Sequence, residues 1–202
     1  MKTVIQVLLS VAILVLGYLL VDSIQQPIRF QQEQRARYNR TIDRLKDIRT
    51  AQLAYRSVYG EFTGNFDTLI NFVKYDSFRV VRSIGDILDQ EAVERGEEIV
   101  RDTIRVSVRD SLFRDDYQVD LLRYVPYTDG KEEFFLGAGE VMTGSGLYVK
   151  VFEAHVHNDV LLAGLDRQLV INMNDERIRR DQFPGLRVGS LTETTNNAGN
   201  WE

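Results

Sequence analysis

The run TVIQVLLSVAILVLGYLLV, Thr3 to Val21, carries no charged residue and decides the fold. Nineteen residues in a helix, at about 1.5 Å each, cross roughly the hydrocarbon thickness of a bilayer. A secretory signal has a shorter apolar region, about 7–15 residues, closed by a small-x-small cleavage site. Here the exit reads Leu20-Val21-Asp22-Ser23-Ile24-Gln25-Gln26-Pro27, which has no such site. Residues 1–26 are therefore expected to form a retained, single-pass transmembrane anchor. Its flanking charges are split: Lys2 and the amino terminus precede the run, and Arg29, Arg35, Arg37 and Arg40 follow it. Only two residues precede the run, as in an export signal, and this favours a body carried across the membrane.

Working outward, Pro27 suits a first helical turn or a kink. Residues 27–60 then read as a helical stalk. Its first half, Gln31-Gln32-Glu33-Gln34-Arg35-Ala36-Arg37, is polar, and its second carries Ile42, Leu45, Ile48, Ala51, Ala54, Tyr55 and Val58 at three- and four-residue steps. That period places an apolar stripe on one face, expected to pack the stalk onto the body. Gly60 follows the helix at the position glycine favours.

Residues 61–202 read as an α+β soluble domain, an antiparallel β-sheet with short helices. Helices are expected over Phe66–Lys74, capped by Asn65, and over Asp86–Glu98. Strands are expected at Phe78–Val81, Thr103–Arg109, Leu121–Val125, Glu133–Leu136, Gly146–His155, Leu169–Met173 and Leu186–Leu191. Turns are expected at Thr128–Lys131, Thr143–Ser145 and Asn172–Asp175. The rhythm is that of a β meander. The polar tail from Thr192 reads as irregular, with Trp201 as its point of docking.

A net charge of −5 and a pI near 5.2 argue against nucleic acid as a partner, since binding phosphates takes clustered excess Lys and Arg. The absence of cysteine removes disulfides, thiolate metal sites and thiol nucleophiles.

The order of parts resembles the type IV filament superfamily, the pilins and type II secretion pseudopilins. The likeness is most specific from Leu45 to Phe62, where Ile48-Arg49-Thr50-Ala51 and then Tyr55 precede the turn Gly60-Glu61-Phe62. Asn200-Trp201 resembles the Asn-Trp near the carboxyl end of major pseudopilins, close to their calcium-binding loop. The run differs from the family's in having no Gly-Phe-Thr-Leu-type processing site and no acid before Asp22. The resemblance implies a pilin-like fold, the bacterial inner membrane, a periplasmic carboxyl-terminal body and partners among envelope or secretion proteins, including other copies through the amino-terminal helix.

Of the constellations with chemical potential, Glu153, His155, His157 and Asp159 stand at every second position of an expected strand, and both histidines of the chain are among them. Such a face offers zinc ligands. The plainer reading of the same residues is the solvated side of a half-exposed strand, with Ala154, Val156 and Val160 opposite. One strand face does not surround a metal, so no cofactor is expected. Calcium has weaker candidates in Asp129–Glu133, Asn172–Glu176 and the tail residues Glu193, Asn196, Asn197 and Asn200. Gly137-Ala138-Gly139 lacks the rest of a phosphate loop and reads as a bulge or bend. Phe134-Phe135, with Tyr124 and Tyr127, reads as core or interface.

With no recognisable nucleophile setting, the chain is expected not to be an enzyme. The leading expectation is a membrane-anchored structural or assembly component. Its lateral contacts in the membrane would use the small residues Ser10, Ala12 and Gly17. The alternative is a membrane-tethered periplasmic binding or scaffold module that does not polymerise.

Overall fold

The computed structural model describes residues 2–84 and 100–202. The expected α+β order is present: a long amino-terminal helix, then antiparallel sheets and short helices. Helix α1 (Lys2–Tyr59) has 58 residues, about 87 Å of rod. It passes through Pro27 without a break. Proline removes one donor from the ladder. The residue four positions back, Ser23, lies exposed, so water can reach the backbone there. Gly60, at φ 76°, ends the helix by donating its N–H to the Arg56 carbonyl at 2.8 Å.

The half of α1 that meets the body does so along a row spaced by three and four residues: Tyr38, Thr41, Leu45, Ile48, Gln52 and Tyr55. Leu45, Ile48 and Ala51 are fully buried, and Ile42 and Tyr55 are half-buried. Val58, expected in the stripe, is 44% exposed. The contact with the next helix runs through the Tyr55 and Tyr59 rings, 5.2 and 5.9 Å from that of Phe72. One position off this row, Val58 turns outward. The stripe also contains two polar residues, Thr41 and Gln52, both fully buried. The Gln52 amide donates to the Thr63 carbonyl at 2.6 Å and accepts from the Thr63 N–H at 3.1 Å, so it satisfies both backbone groups of one loop residue.

Helix α2 (Phe66–Tyr75) is capped as expected, with Asn65 Oδ1 accepting from Asp67 N and Thr68 N. A two-stranded ribbon follows, β1 (Ser77–Ile84) antiparallel to β2 (Val100–Ser107). The helix expected over Asp86–Glu98 lies outside the described residues. The strand expected to reach Arg109 stops at Ser107, whose hydroxyl accepts from Asp110 N and caps helix α3 (Val108–Leu112). Val108 thereby enters the core.

The main sheet has three strands in the order β3 (Phe135–Met142), β4 (Tyr148–His157), β5 (Gly185–Gly189), all antiparallel. It replaces the longer meander expected. Leu121–Val125 is instead a 3-10 turn (Val119–Leu122) and a single bridge, Tyr124 to Glu133. That bridge is closed by Asp129-Gly130, both at positive φ, as a two-residue hairpin turn demands. Leu169–Met173 and the turn expected at Asn172–Asp175 both lie within one helix. Helix α4 (Asn158–Leu161) and helix α5 (Arg167–Arg179) together cross from β4 to β5. A short apolar run does not separate strand from helix. Here Asp166 decides, its Oδ1 accepting the Leu169 N–H at 3.0 Å as a helix cap. Gly137 and Gly139 sit in unbroken register with Glu153 and Val151, so no bulge forms. They admit close neighbours instead: a Cβ on Gly137 would lie 2.8 Å from Leu191 Cδ1.

The core joins Leu45 and Ile48 of α1 to Leu69 and Val73 of α2, Phe152 of β4 and Leu186 of β5. Trp201 packs against its edge. Truncating Leu45 to alanine should cost about 2–5 kcal/mol. Leu45→Ala should thus lower the urea midpoint followed by the single tryptophan, Trp201, whereas Val58→Ala should leave it within about 0.5 kcal/mol of wild type. Gln52→Leu should cost about 1–3 kcal/mol, because the Thr63 backbone is left unpaired.

Candidate functional site

The apolar run of α1 is bare: none of its described side chains is buried by the body. From Val7 to Leu20 every large apolar side chain is exposed, from 51% at Val15 to 74% at Leu14. By length and composition this helix can cross a membrane, with mean hydropathy 2.4 over its most apolar window. At 3.6 residues per turn Ser10 and Gly17, seven apart, share a face, and Ala12 points to nearly the opposite one. The three small residues therefore do not make one stripe. Ser10 donates to the Gln6 carbonyl at 3.0 Å, and no atom lies within 4 Å of where a Cβ of Gly17 would stand.

Where α1 meets the body, polar side chains hold it in register. Arg37 donates to the carbonyls of Leu161 at 3.1 Å and Ala163 at 2.9 Å. The Tyr38 hydroxyl donates to Asn158 Oδ1 at 2.5 Å, and Asn158 donates to Asn174, which donates to Asp159. Arg177 lies over the Tyr38 ring at 5.6 Å and donates to the Gly185 carbonyl at 2.6 Å. Burial pushes the Tyr38 hydroxyl above its usual pKa. Further along, Tyr117 donates to Asp47 Oδ2 at 2.6 Å. Burial raises both groups, more than the Tyr117 bond holds the Asp47 carboxyl down. None of these contacts was expected from the sequence. Their signal was present as polar residues at seam spacing: Tyr38, Thr41 and Gln52 continue the row of Leu45 and Ile48.

The four candidate ligands do not stay together. Glu153, His155 and His157 share a face of β4, but the strand ends at His157 and Asp159 lies in α4, accepting from Asn174 Nδ2 at 3.0 Å. Glu153 is buried rather than solvated. Its Oε1 meets His155 Nδ1 at 2.7 Å and its Oε2 accepts from the Leu191 N–H at 3.0 Å. The His155 ring stacks on Phe135, its cross-strand partner, at 4.5 Å and 21°. Phe183 covers it at 4.9 Å, and the His157 ring stands edge-on at 5.4 Å. Arg187, the partner on β5, lies over Phe183 at 5.6 Å. Among the described residues no three of His, Cys, Asp or Glu are grouped to hold a metal. What this face does is fasten Leu191 and the following tail onto the sheet.

The calcium candidates are likewise dispersed. Asp129 to Glu133 form the hairpin turn, and Asn172 to Glu176 lie along α5. Asn200 accepts from Arg187 N and donates to the Gly185 carbonyl, both at 3.0 Å, and Glu193 faces Arg187 at 3.8 Å. Phe134 is core, while Phe135 belongs to the histidine stack and Tyr127 is exposed. Comparison with protein-family models, with curated proteins and with solved structures found no match.

Burial lowers the His155 pKa, against the pull of Glu153. A histidine that binds its proton more weakly when folded contributes stability above about pH 6.5, and the contribution fades as pH falls through that value. The unfolding midpoint should therefore drop between pH 7 and pH 5. His155→Gln should flatten that slope, read by the same Trp201 titration.

Proposed function

We propose that this chain is a non-enzymatic, single-pass, membrane-anchored structural or assembly component of a bacterial envelope, pilin- or pseudopilin-like in plan, with its body on the periplasmic side of the inner membrane. The observation that carries this reading is the division of α1 into an apolar run, Val7 to Leu20, left bare by the body and a later half that forms the body's spine. Burying a large apolar side chain is worth about 1.5–3 kcal/mol. The eleven between Val7 and Leu20 thus represent tens of kcal/mol, against a usual domain stability of about 5–15 kcal/mol. Lipid, or lipid together with other copies, is the surrounding that such a rod requires. The same helix then transmits the position of the anchor to the body without a hinge.

The shifted pKa values of Asp47, Tyr117 and His155 fit a structural role. Asp47 with Tyr117 and Glu153 with His155 each occupy one another, and each bonded pair fastens one segment to another. The non-polymerising alternative is favoured by a different observation: Thr3 to Val21 holds no acid to pair with a neighbouring amino terminus, and Ala12 falls off the face that Ser10 and Gly17 share.

The chain has no cysteine, so single cysteines report cleanly. Ser145→Cys should react with an impermeant maleimide added outside the cytoplasmic membrane, and cysteines placed in turn from Gln6 to Gly17 should crosslink with helical periodicity. Labelling without crosslinks would leave the tethered, non-polymerising module. Protection of position 145 would reverse the topology and remove the envelope role.

A further inference from the structure

Among the described residues, the lowest point at which the body grips the rod is Gln26, whose Nε2 donates to Asp166 Oδ2 at 2.5 Å while Asp166 Oδ1 caps α5. Gln26 lies five residues beyond Val21, about 7.5 Å along the axis. A bilayer with about 30 Å of hydrocarbon measures about 40–45 Å with its headgroups, so each headgroup layer is of similar depth. The Asp166 end of the loop joining α4 to α5 therefore stands at headgroup level whenever the apolar run fills the hydrocarbon.

Two open grooves flank that loop. One, of about 270 Å³, lies between Arg29, Phe30 and Glu33 of α1 and Gly164 to Asp166. The other, of about 430 Å³, is walled by Leu162, Leu165, Val170 and Ile171, with Arg167 and Asp159 on its lining. Ile171 is 39% exposed, and Arg29 and Arg167 are exposed. Among the described residues neither arginine is in an ion pair. Each groove thus combines apolar wall, one guanidinium and at least one carboxylate. That is the complement of a zwitterionic phospholipid headgroup: arginine binds phosphate, the carboxylate faces the ammonium group, and the apolar wall meets the glycerol and upper acyl carbons.

We propose that this base of the body docks on the surface of the same bilayer that α1 crosses, its two grooves seating zwitterionic phospholipid headgroups. The proposal rests on the anchor reading above, and the occupant follows from continuity with it, since the lipid around the run is the surface that the grooves overhang. The body is then held at two places, by its helix and by its base, and does not swing on a free stalk.

The test uses the full chain in phosphatidylcholine nanodiscs, with one fluorophore on a single cysteine at position 163, 145 or 14. Ala163 is exposed beside the loop. Ser145 belongs to the β3–β4 turn, whose Thr143 shares a groove with Arg56, about 45 Å beyond Gln26 along the rod. Phosphatidylcholine carrying a headgroup nitroxide should quench position 163 severalfold more than position 145, and Arg29→Glu with Arg167→Glu should reduce that difference severalfold. A mid-chain nitroxide should quench position 14 in both backgrounds. Quenching at 14 with 163 no brighter or dimmer than 145 would overturn the docking and leave the anchor intact. Absence of quenching at 14 would overturn the anchor and the docking together.

Discussion

Everything in the body is arranged around the need to satisfy polar groups on the buried seam of α1. An apolar seam could slide by a turn at modest cost, because dispersion and burial are not directional. Tyr38, Thr41 and Gln52 cannot. Thr41 returns its hydroxyl to the Arg37 carbonyl at 2.8 Å within the helix, but Tyr38 needs Asn158 and Gln52 needs the backbone of Thr63. Those two partners come from segments nearly a hundred residues apart in the chain, and both must be in place before the seam can close. A buried amide without its partner costs more than the bond contributes when made. The register of body on rod is therefore set by polar contacts, while most of the attraction is supplied by Leu45, Ile48 and Ala51.

The carboxyl end completes the same arrangement from the other side. Glu153 sits under Leu191, held between the His155 ring and the Leu191 N–H, so the chain leaving β5 is pinned to the sheet before it turns into the tail. Asn200 then pairs with the backbone of β5 through three hydrogen bonds, and Trp201 closes the edge of the core. Glu202 reaches Arg49 at 2.7 Å, which holds its carboxyl below the usual range. The last residue of the chain thus returns to the helix that begins it. In this closure the histidine face acts as a fastening, since each oxygen of the Glu153 carboxylate bonds a different part of the chain.

A single helix that carries both the apolar run and the spine of the body also constrains where the body can be. Its lower rim is tied at Gln26, close beyond the end of the apolar run, and the Asp166 carboxylate joins that tie to the cap of α5. One side chain therefore sets the start of a helix and its height above the apolar run.

The amino-acid sequence determined the parts whose signals are local. The apolar length of Thr3 to Val21, the three- and four-residue spacing from Ile42 to Tyr55, the Asn65 cap and the Asp129-Gly130 turn each depend on a few neighbouring residues, and each is where it was expected. Tertiary structure decided the rest. Leu169-Val170-Ile171 has no period of its own and became helical through the Asp166 cap, with Val170 turned into the core. Glu153 was expected to be solvated because alternation says only that it opposes Ala154, and it is buried because a loop 38 residues later folds over it. Thr41 and Gln52 are polar by composition yet lie in the core, since their partners are supplied from distant segments or by the helix itself. Periodicity records which side of an element a residue occupies; what covers that side is settled only when remote parts of the chain meet.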